Sequence, residues 1–267
     1  MQIEFTKMHG LGNDFVMVEK SHQIASLDLT KLAKNISGRH LGLGCDQFIL
    51  YEINDDDVRM YVYNQDGSDG GMCGNATRCL AKLLGKKEMN IKVLDRELKC
   101  HINEDGSVSV NMGSPSFDAK WMPSESALWE LGAMYKLEPR EILCLDLGNP
   151  HLVIFKSDLT YEDKALIGSA MQHSQLFKGG VNVSFVDIHG DTLGLKVWER
   201  GAGFTLACGS GACASFAAAQ KLGFIGNRAR VSFELGELCM SNDNGNIVMT
   251  GPATLVAKGV YYHTTSP

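Results

Sequence analysis

Two short cysteine motifs carry the chemistry of this sequence, Cys73-Gly-Asn and Cys208-Gly-Ser, each followed by a helical pattern. After Cys73, residues Ala76, Leu80, Leu83 and Leu84 share one face and Gly85 is the expected stop. After Cys208 an alanine-rich run ends at Gly223. A helix start presents unpaired N–H groups and a partial positive charge, so it is a natural seat for a carboxylate. Glycine beside it lets a ligand approach the backbone. A cysteine in that position is expected to have a stabilised thiolate and a lowered pKa. One such motif reads as a buried thiol capping a helix, or as a nucleophile. Two of them on opposite faces of one α-carbon would do something different. One thiolate removes the α-proton, the opposite thiol delivers a proton, and the stereocentre inverts. The carbanion formed on the way needs preorganised electrostatic help, which two helix starts can give without metal or pyridoxal.

The pairing of the motifs is a repeat. GLGNDFVMV resembles DLGNPHLVIF, with Asn13 and Asn149 lying 136 positions apart. GLGCDQFIL has a looser echo in KGGVNVSFVDI. VYNQDGSDGGMCGNATRC matches VWERGAGFTLACGSGACA at a spacing of 135, and VNMGSP meets VMTGPA at 138. Four matches in one order at nearly one spacing indicate two homologous halves, and the period is far too long for a solenoid. The expected division is an N-terminal domain over 1–115 and a C-terminal domain over 116–252. DAKWMPSESALWELGA reads as linker and helix, and the strand-like end (253–267, with LVAKGVYY) is expected to complete the first domain.

Each half is mostly strand. Phe15–Glu19, Phe48–Ile53 and Val58–Tyr63 alternate or run apolar. Asp105-Gly106 and Asn244-Gly245 are matched hairpin turns. The expected class is therefore α/β in the α+β sense: two pseudosymmetric domains, each a mostly antiparallel sheet wrapped around a central helix. His151 and Glu199, which lie within the repeated motifs, are the other candidate titrating groups, placed to tune the thiols. His9 reads as structural.

Composition narrows the partners. The chain has 267 residues, with 25 Lys+Arg against 31 Asp+Glu for a net charge of −6, and no basic stripe. Nucleic acid and anionic membrane are not expected partners. No run reaches the ~20 apolar residues of a membrane span, and MQIEFTKMHG lacks signal-peptide character. Eight cysteines in a chain this long fit a reducing cytoplasm. Cys45, Cys100, Cys144 and Cys239 are expected to be buried thiols. The gaps Cys73/Cys79 and Cys208/Cys213 do not have zinc-knuckle spacing, so no metal is expected.

FTKMHGLGNDF, RHLGLGCDQ, YNQDGSDGGMCGNATRC, LGNPHLVIF and WERGAGFTLACGSGACA resemble the motifs of the diaminopimelate epimerase family, from Phe5 to about Gly251. The resemblance implies an active site in the cleft between the two domains, a homodimer, and no cofactor. It implies interconversion of LL- and meso-diaminopimelate in lysine and peptidoglycan-precursor synthesis. Carried over, Cys73 and Cys208 are the acid/base pair, with His151 and Glu199 assisting. Backbone amides of Gly74, Asn75, Gly209 and Ser210 hold the α-carboxylate. Asn13, Gln47, Asn64, Asn149, Asn182, Glu199 and Arg200 line the substrate site. Such a set suits a second amino-acid head, because asparagine offers donor and acceptor together and arginine can fork a carboxylate. Two positions depart from the family pattern: Phe204 stands where glutamate is common, and Ala76 where glycine is frequent. The alternatives are a two-cysteine racemase of proline, hydroxyproline or glutamate type, or a non-catalytic amino-acid-binding protein with vestigial cysteines.

Overall fold

The computed structural model describes residues 1–55 and 57–263. The chain divides into two compact units, Met1–Val110 with Gly251–Pro267, and Asn111–Thr250.

The first unit runs β1 (Gln2–Gly10), β2 (Asn13–Glu19), α1 (His22–Ala25), α2 (Leu29–Ser37), β3 (Gln47–Asn54), β4 (Asp57–Asn64), α3 (Gly74–Leu84), β5 (Glu88–Val93), β6 (Arg96–Ile102) and β7 (Val108–Gly113), in which the boundary falls. The second runs α4 (Glu125–Ala133), β8 (Ile142–Asp146), β9 (Pro150–Phe155), α5 (Tyr161–His173), β10 (Asn182–His189), β11 (Thr192–Glu199), β12 (Gly203–Thr205), α6 (Gly209–Lys221), β13 (Arg228–Phe233), β14 (Gly236–Asp243) and β15 (Asn246–Gly251). The last strand, β16 (Thr254–Tyr262), pairs antiparallel with β1 in the first unit.

Neighbouring strands of the first unit follow the order β16-β1-β2-β3-β4-β5-β6-β7, antiparallel except at β2/β3 and β4/β5. In the second unit the order β8-β9-β10-β11-β13-β14-β15 repeats this plan, parallel only at β9/β10 and β11/β13. Parallel neighbours need a crossover, which a helix supplies. Thus α3 connects β4 to β5, and α6 connects β11 to β13. These two helices are the centres of their units: Gly74–Ala81 of α3 and Gly209–Ala219 of α6 are buried throughout.

Strand burial follows the same logic. Val108, Val110 and Met112 of β7 alternate inward, as an antiparallel strand with one covered face should. Phe48–Tyr51 of β3 and Asn182–Val186 of β10 are buried on both faces, as strands beside a parallel partner and under helices should be. Each unit encloses its own core. Val16, Leu32, Ile36, Phe48 and Leu50 centre one, and Leu152, Ile154, Met171, Val183 and Phe185 the other.

The expected turns form. Asn244 and Gly245 both adopt positive φ, at 50° and 89°, joining β14 to β15 in two residues, the geometry of a type I′ hairpin. Gly85 caps α3 in the left-handed region. Cys45, Cys100 and Cys144 are buried, but Cys239 is exposed. Leu238 and Met240 take the inward positions of β14, so the alternation turns Cys239 outward. None of the described helices is long and apolar enough to cross a membrane.

Candidate active site

The two motif cysteines occupy the same structural position, each the N-cap of its central helix. Their backbones are extended and nearly superposable, φ −128° and ψ 103° at Cys73, φ −123° and ψ 110° at Cys208. Helical bonding begins with Thr77 N–H donating to the Cys73 carbonyl at 3.0 Å and Ala212 N–H to that of Cys208 at 2.9 Å. The amides of Gly74 and Asn75, and of Gly209 and Ser210, therefore stand in the first turn, where the helix itself offers no acceptor.

In the first unit an amide meets the Cys73 sulfur. The Asn13 Oδ1 accepts from Asn75 Nδ2 at 3.1 Å and lies 3.9 Å from the Cys73 sulfur. Its Nδ2 donates to Asp46 Oδ2 at 3.0 Å, so the amide is held with oxygen toward the thiol. Asp46 and Asp14 are in turn gripped by Arg39, at 2.7 Å and 3.1 Å, and Lys7 sits 2.9 Å from Asp14. Burial would raise the Asp14 carboxyl, but Arg39 and Lys7 outweigh it and hold it below its ordinary value. Gln47 Nε2 donates to Asn64 Oδ1 at 3.0 Å. That contact needs Gly70, because a Cβ there would lie 2.9 Å from Gln47 Nε2 and 3.0 Å from Asn64 Oδ1.

In the second unit the same positions carry titrating groups. Cys208 is buried and has donors on one side. Gly211 N–H lies 3.4 Å and the Ser210 hydroxyl 3.6 Å from its sulfur. A directed chain stands behind Ser210. Neutral His151 donates from Nε2 to Asn149 Oδ1 at 2.9 Å, and Asn149 Nδ2 donates to Ser210 Oγ at 3.3 Å. The serine proton is thereby left for the sulfur. Full burial lowers the His151 pKa to about 4, with Arg200 adding to the effect and Asp146 opposing it, so the imidazole is uncharged near neutrality. On the other side the thiol donates to the Glu199 carboxylate.

Cys208 departs from the lowered pKa expected at a helix start. Burial first, then the charge of Glu199, push the thiol well above its ordinary value, against the smaller pulls of Ser210 and Gly211, and the hydrogen bond to Glu199 adds least. A desolvated sulfur beside a carboxylate is more stable protonated, and the helix start does not reverse that. Three other thiols, Cys79, Cys100 and Cys144, are pushed up to about 12 by burial above all.

The remaining expected residues fall beside these. Asn182 donates to the Pro150 carbonyl at 3.0 Å and accepts from Arg200 N–H at 2.9 Å. Arg200 is exposed, and its Nη1 donates to Gly179 O at 3.2 Å. His9 accepts from Gly12 N–H at 3.3 Å, a turn-bracing role. The structure therefore groups Asn13, Asn75 and Cys73, with Gln47 and Asn64 paired nearby along β3 and β4. It also groups Cys208, Ser210, Asn149, His151 and Glu199, with Asn182 and Arg200 paired. Sequence reasoning missed Asp46, whose signal was its place directly before Gln47 in GLGCDQ, and Thr205, which donates to Glu199 at 2.5 Å. Two cavities of about 280 and 400 Å³ lie elsewhere, lined by Met60, Tyr63 and Val93 in one unit and by Leu195, Lys196 and Phe233 in the other. No cysteine lines either.

Known proteins resemble the chain in both sequence and fold. The profile of the family described as diaminopimelate epimerase matches residues 5–118 and again 143–256. The diaminopimelate epimerase of Rickettsia felis is 52% identical over 265 residues, covering 98% of each chain, and that of Rickettsia akari is 52% identical over 266 residues with the same coverage. A phenazine biosynthesis protein of the PhzF family from Bacillus anthracis shares the fold with a TM-score of 0.74 at 13% identity, over 98% of this chain and all of that one. A hydroxyproline epimerase from Agrobacterium vitis does so at 0.68 and 13%, over 97% and 91%.

Proposed function

We propose a reaction for the two half-sites on one plain premise: the chain belongs to the diaminopimelate epimerase family. The reaction is interconversion of LL- and meso-2,6-diaminopimelate by inversion at one α-carbon, with no cofactor, serving lysine and peptidoglycan-precursor synthesis. The observation that carries it is the matched pair of N-cap thiols on duplicated central helices.

In this reading the substrate's α-carboxylate rests on the amides of Gly74, Asn75, Gly209 and Ser210. One sulfur removes the α-proton. The C–H electron pair stays on the α-carbon, and the helix-start amides stabilise the charge that spreads into the carboxylate. The opposite thiol then gives up its proton to the other face. Cys208 rests as a thiol, ready as an acid. When it must act as the base, Glu199 accepts its proton first, and Ser210 and Gly211 stabilise the thiolate. Asn13, Gln47, Asn64, Asn149, Asn182 and Arg200 are proposed to hold the substrate, with Arg200 on the distal carboxylate. A site built for a distal head rejects amino acids lacking one, since its polar groups would be left unpaired.

The enzyme is proposed to work in the cytoplasm, which fits eight free thiols, and as a homodimer. Support for the dimer is β16, the outermost described strand of its sheet, which exposes Leu255, Val256, Val260 and Tyr262.

The test is incubation with LL-diaminopimelate in D2O. Inversion with deuterium entering the α-position, lost in Cys73→Ala and in Cys208→Ala, is expected. Binding without exchange would overturn the proposal, as would exchange confined to proline, hydroxyproline or glutamate.

A further inference from the structure

Thr205 and Phe204 have no assigned role, yet they sit directly behind the carboxylate that faces Cys208. The short strand β12 pairs with the end of β11 through Val197↔Thr205, Trp198↔Phe204 and Glu199↔Gly203. The Thr205 hydroxyl donates to Glu199 Oε1 at 2.5 Å. Phe204 anchors the strand. Its ring lies 4.8 Å from Tyr161, 5.1 Å edge-on from Trp198 and 6.5 Å from Phe185, with the Lys196 ammonium 5.8 Å away.

The first unit contains the natural control. There the equivalent pairing is a single bridge, Tyr63↔Asp69. The residues aligned with Glu199, Phe204 and Thr205 are Asn64, Asp69 and Gly70. The half that has a carboxylate facing its thiol thus also has a hydroxyl on that carboxylate and an aromatic anchor beneath the hydroxyl. In the other half Asn64, at the Glu199 position, donates its amide to the Ser68 hydroxyl at 3.1 Å and receives no hydroxyl proton from the Thr205 position, which is Gly70, and Asp69 stands where the aromatic anchor would be. A glutamate side chain has three rotatable bonds, so one oxygen must be fixed if the other is to meet a sulfur reliably. Donation to the ionised form also keeps the carboxyl acidic.

We propose that Thr205, held in place by Phe204, is a positioning residue that fixes and charges Glu199 for proton exchange with Cys208. This rests on the reaction proposed above. It concerns a residue that touches the carboxylate and not the substrate.

The experiment compares Thr205→Val, Thr205→Ala and Thr205→Ser with the parent protein, alone and combined with Glu199→Gln. Diaminopimelate inversion is followed across pH. Thr205→Val and Thr205→Ala should lower kcat about 10- to 100-fold with KM changed less than about threefold, and should move the acid limb of the kcat profile upward. Thr205→Ser should stay within about threefold, because it keeps the donor. In the Glu199→Gln background, loss of Thr205 should add less than about twofold, since the two act as one unit. Parent-like kcat and pH profile in Thr205→Val overturns the inference, as do additive effects with Glu199→Gln. If Thr205→Val does not fold, Thr205→Ala and Thr205→Ser decide by the same criteria. A parent protein that inverts nothing overturns the proposed reaction itself, and this inference with it. Parent activity with indifferent Thr205 variants overturns only the inference.

Discussion

The two units share a plan down to strand register, and they differ at the residues that could move a proton. Phe15 pairs with Gln47 where β2 meets β3, and His151 pairs with Asn182 where β9 meets β10. These are the same positions of the repeat, one filled by a buried aromatic ring and the other by a buried imidazole. Asn64 stands where Glu199 stands, Asn75 where Ser210 stands, and Gly70 where Thr205 stands. In the first unit the amide of Asn13 is fixed by Asp46, itself held by Arg39, charges placed behind the amide that meets the sulfur. In the second, the equivalent Asn149 passes a hydrogen bond from His151 to Ser210. The duplication supplied a shared frame, in which Phe15 and Asn64 of one copy stand where the other copy has His151 and Glu199. The thiols are thus alike in placement and unlike in environment.

The comparison can be broken most severely at the sulfurs. Either Cys73→Ala or Cys208→Ala should lower kcat for inversion by at least ~10⁴-fold, because each removes a proton carrier of the proposed reaction. Next comes Glu199→Asn, which makes the second unit resemble the first. Activity should fall by ~10²- to 10³-fold, and alkylation of Cys208 by iodoacetamide should occur at lower pH, since the Glu199 charge that raises its pKa is gone. An unchanged alkylation profile would show that burial alone governs this thiol.

His151→Phe copies the other half of the comparison. It breaks the chain to Ser210 and should reduce kcat by ~10-fold. It also carries a stability signature. The folded pKa of about 4 lies below the unfolded value near 6.5, so between these limits the unfolded chain binds the extra proton. Stability is then full above about pH 6.5 and is lost as pH falls toward 4, by at most ~3 kcal/mol from this group. Denaturant titration at pH 7.5 and pH 4.5 should show that part of the loss disappear in His151→Phe. The smallest effect is expected at Phe204→Ala, which should cost ~1–3 kcal/mol of stability through the lost ring contacts. Thermal unfolding measures it.

Much of the frame was legible because repetition amplifies weak local signals. Asn244-Gly245 and Asp105-Gly106 were readable as turns, and each supported the other by occupying one position of the repeat. Cys73 and Cys208 were recognisable as N-caps because the patterning after both was helical. What escaped were quantities set by three-dimensional burial. The thiol of Cys208 is raised by desolvation and Glu199 together, and neither the burial nor the approach of residue 199 to residue 208 can be read from eight intervening positions. Cys239 looked like the other strand cysteines, but the phase of β14 placed it outward. Asp46 escaped because its role is to orient Asn13, which is distant in sequence. Phe204 was legible as a departure, whereas its partners Tyr161, Trp198 and Phe185 come from three other elements.

The central claim is that one sulfur takes a proton and the other gives one. The most direct measurement is the isotopic content of both stereoisomers during the first few per cent of reaction in D2O. A two-thiol mechanism predicts product carrying solvent deuterium at the inverted carbon while unreacted substrate remains protiated there. Product that keeps the original proton, or substrate that gains deuterium faster than product forms, would mean that a single base works on one face and would contradict the account.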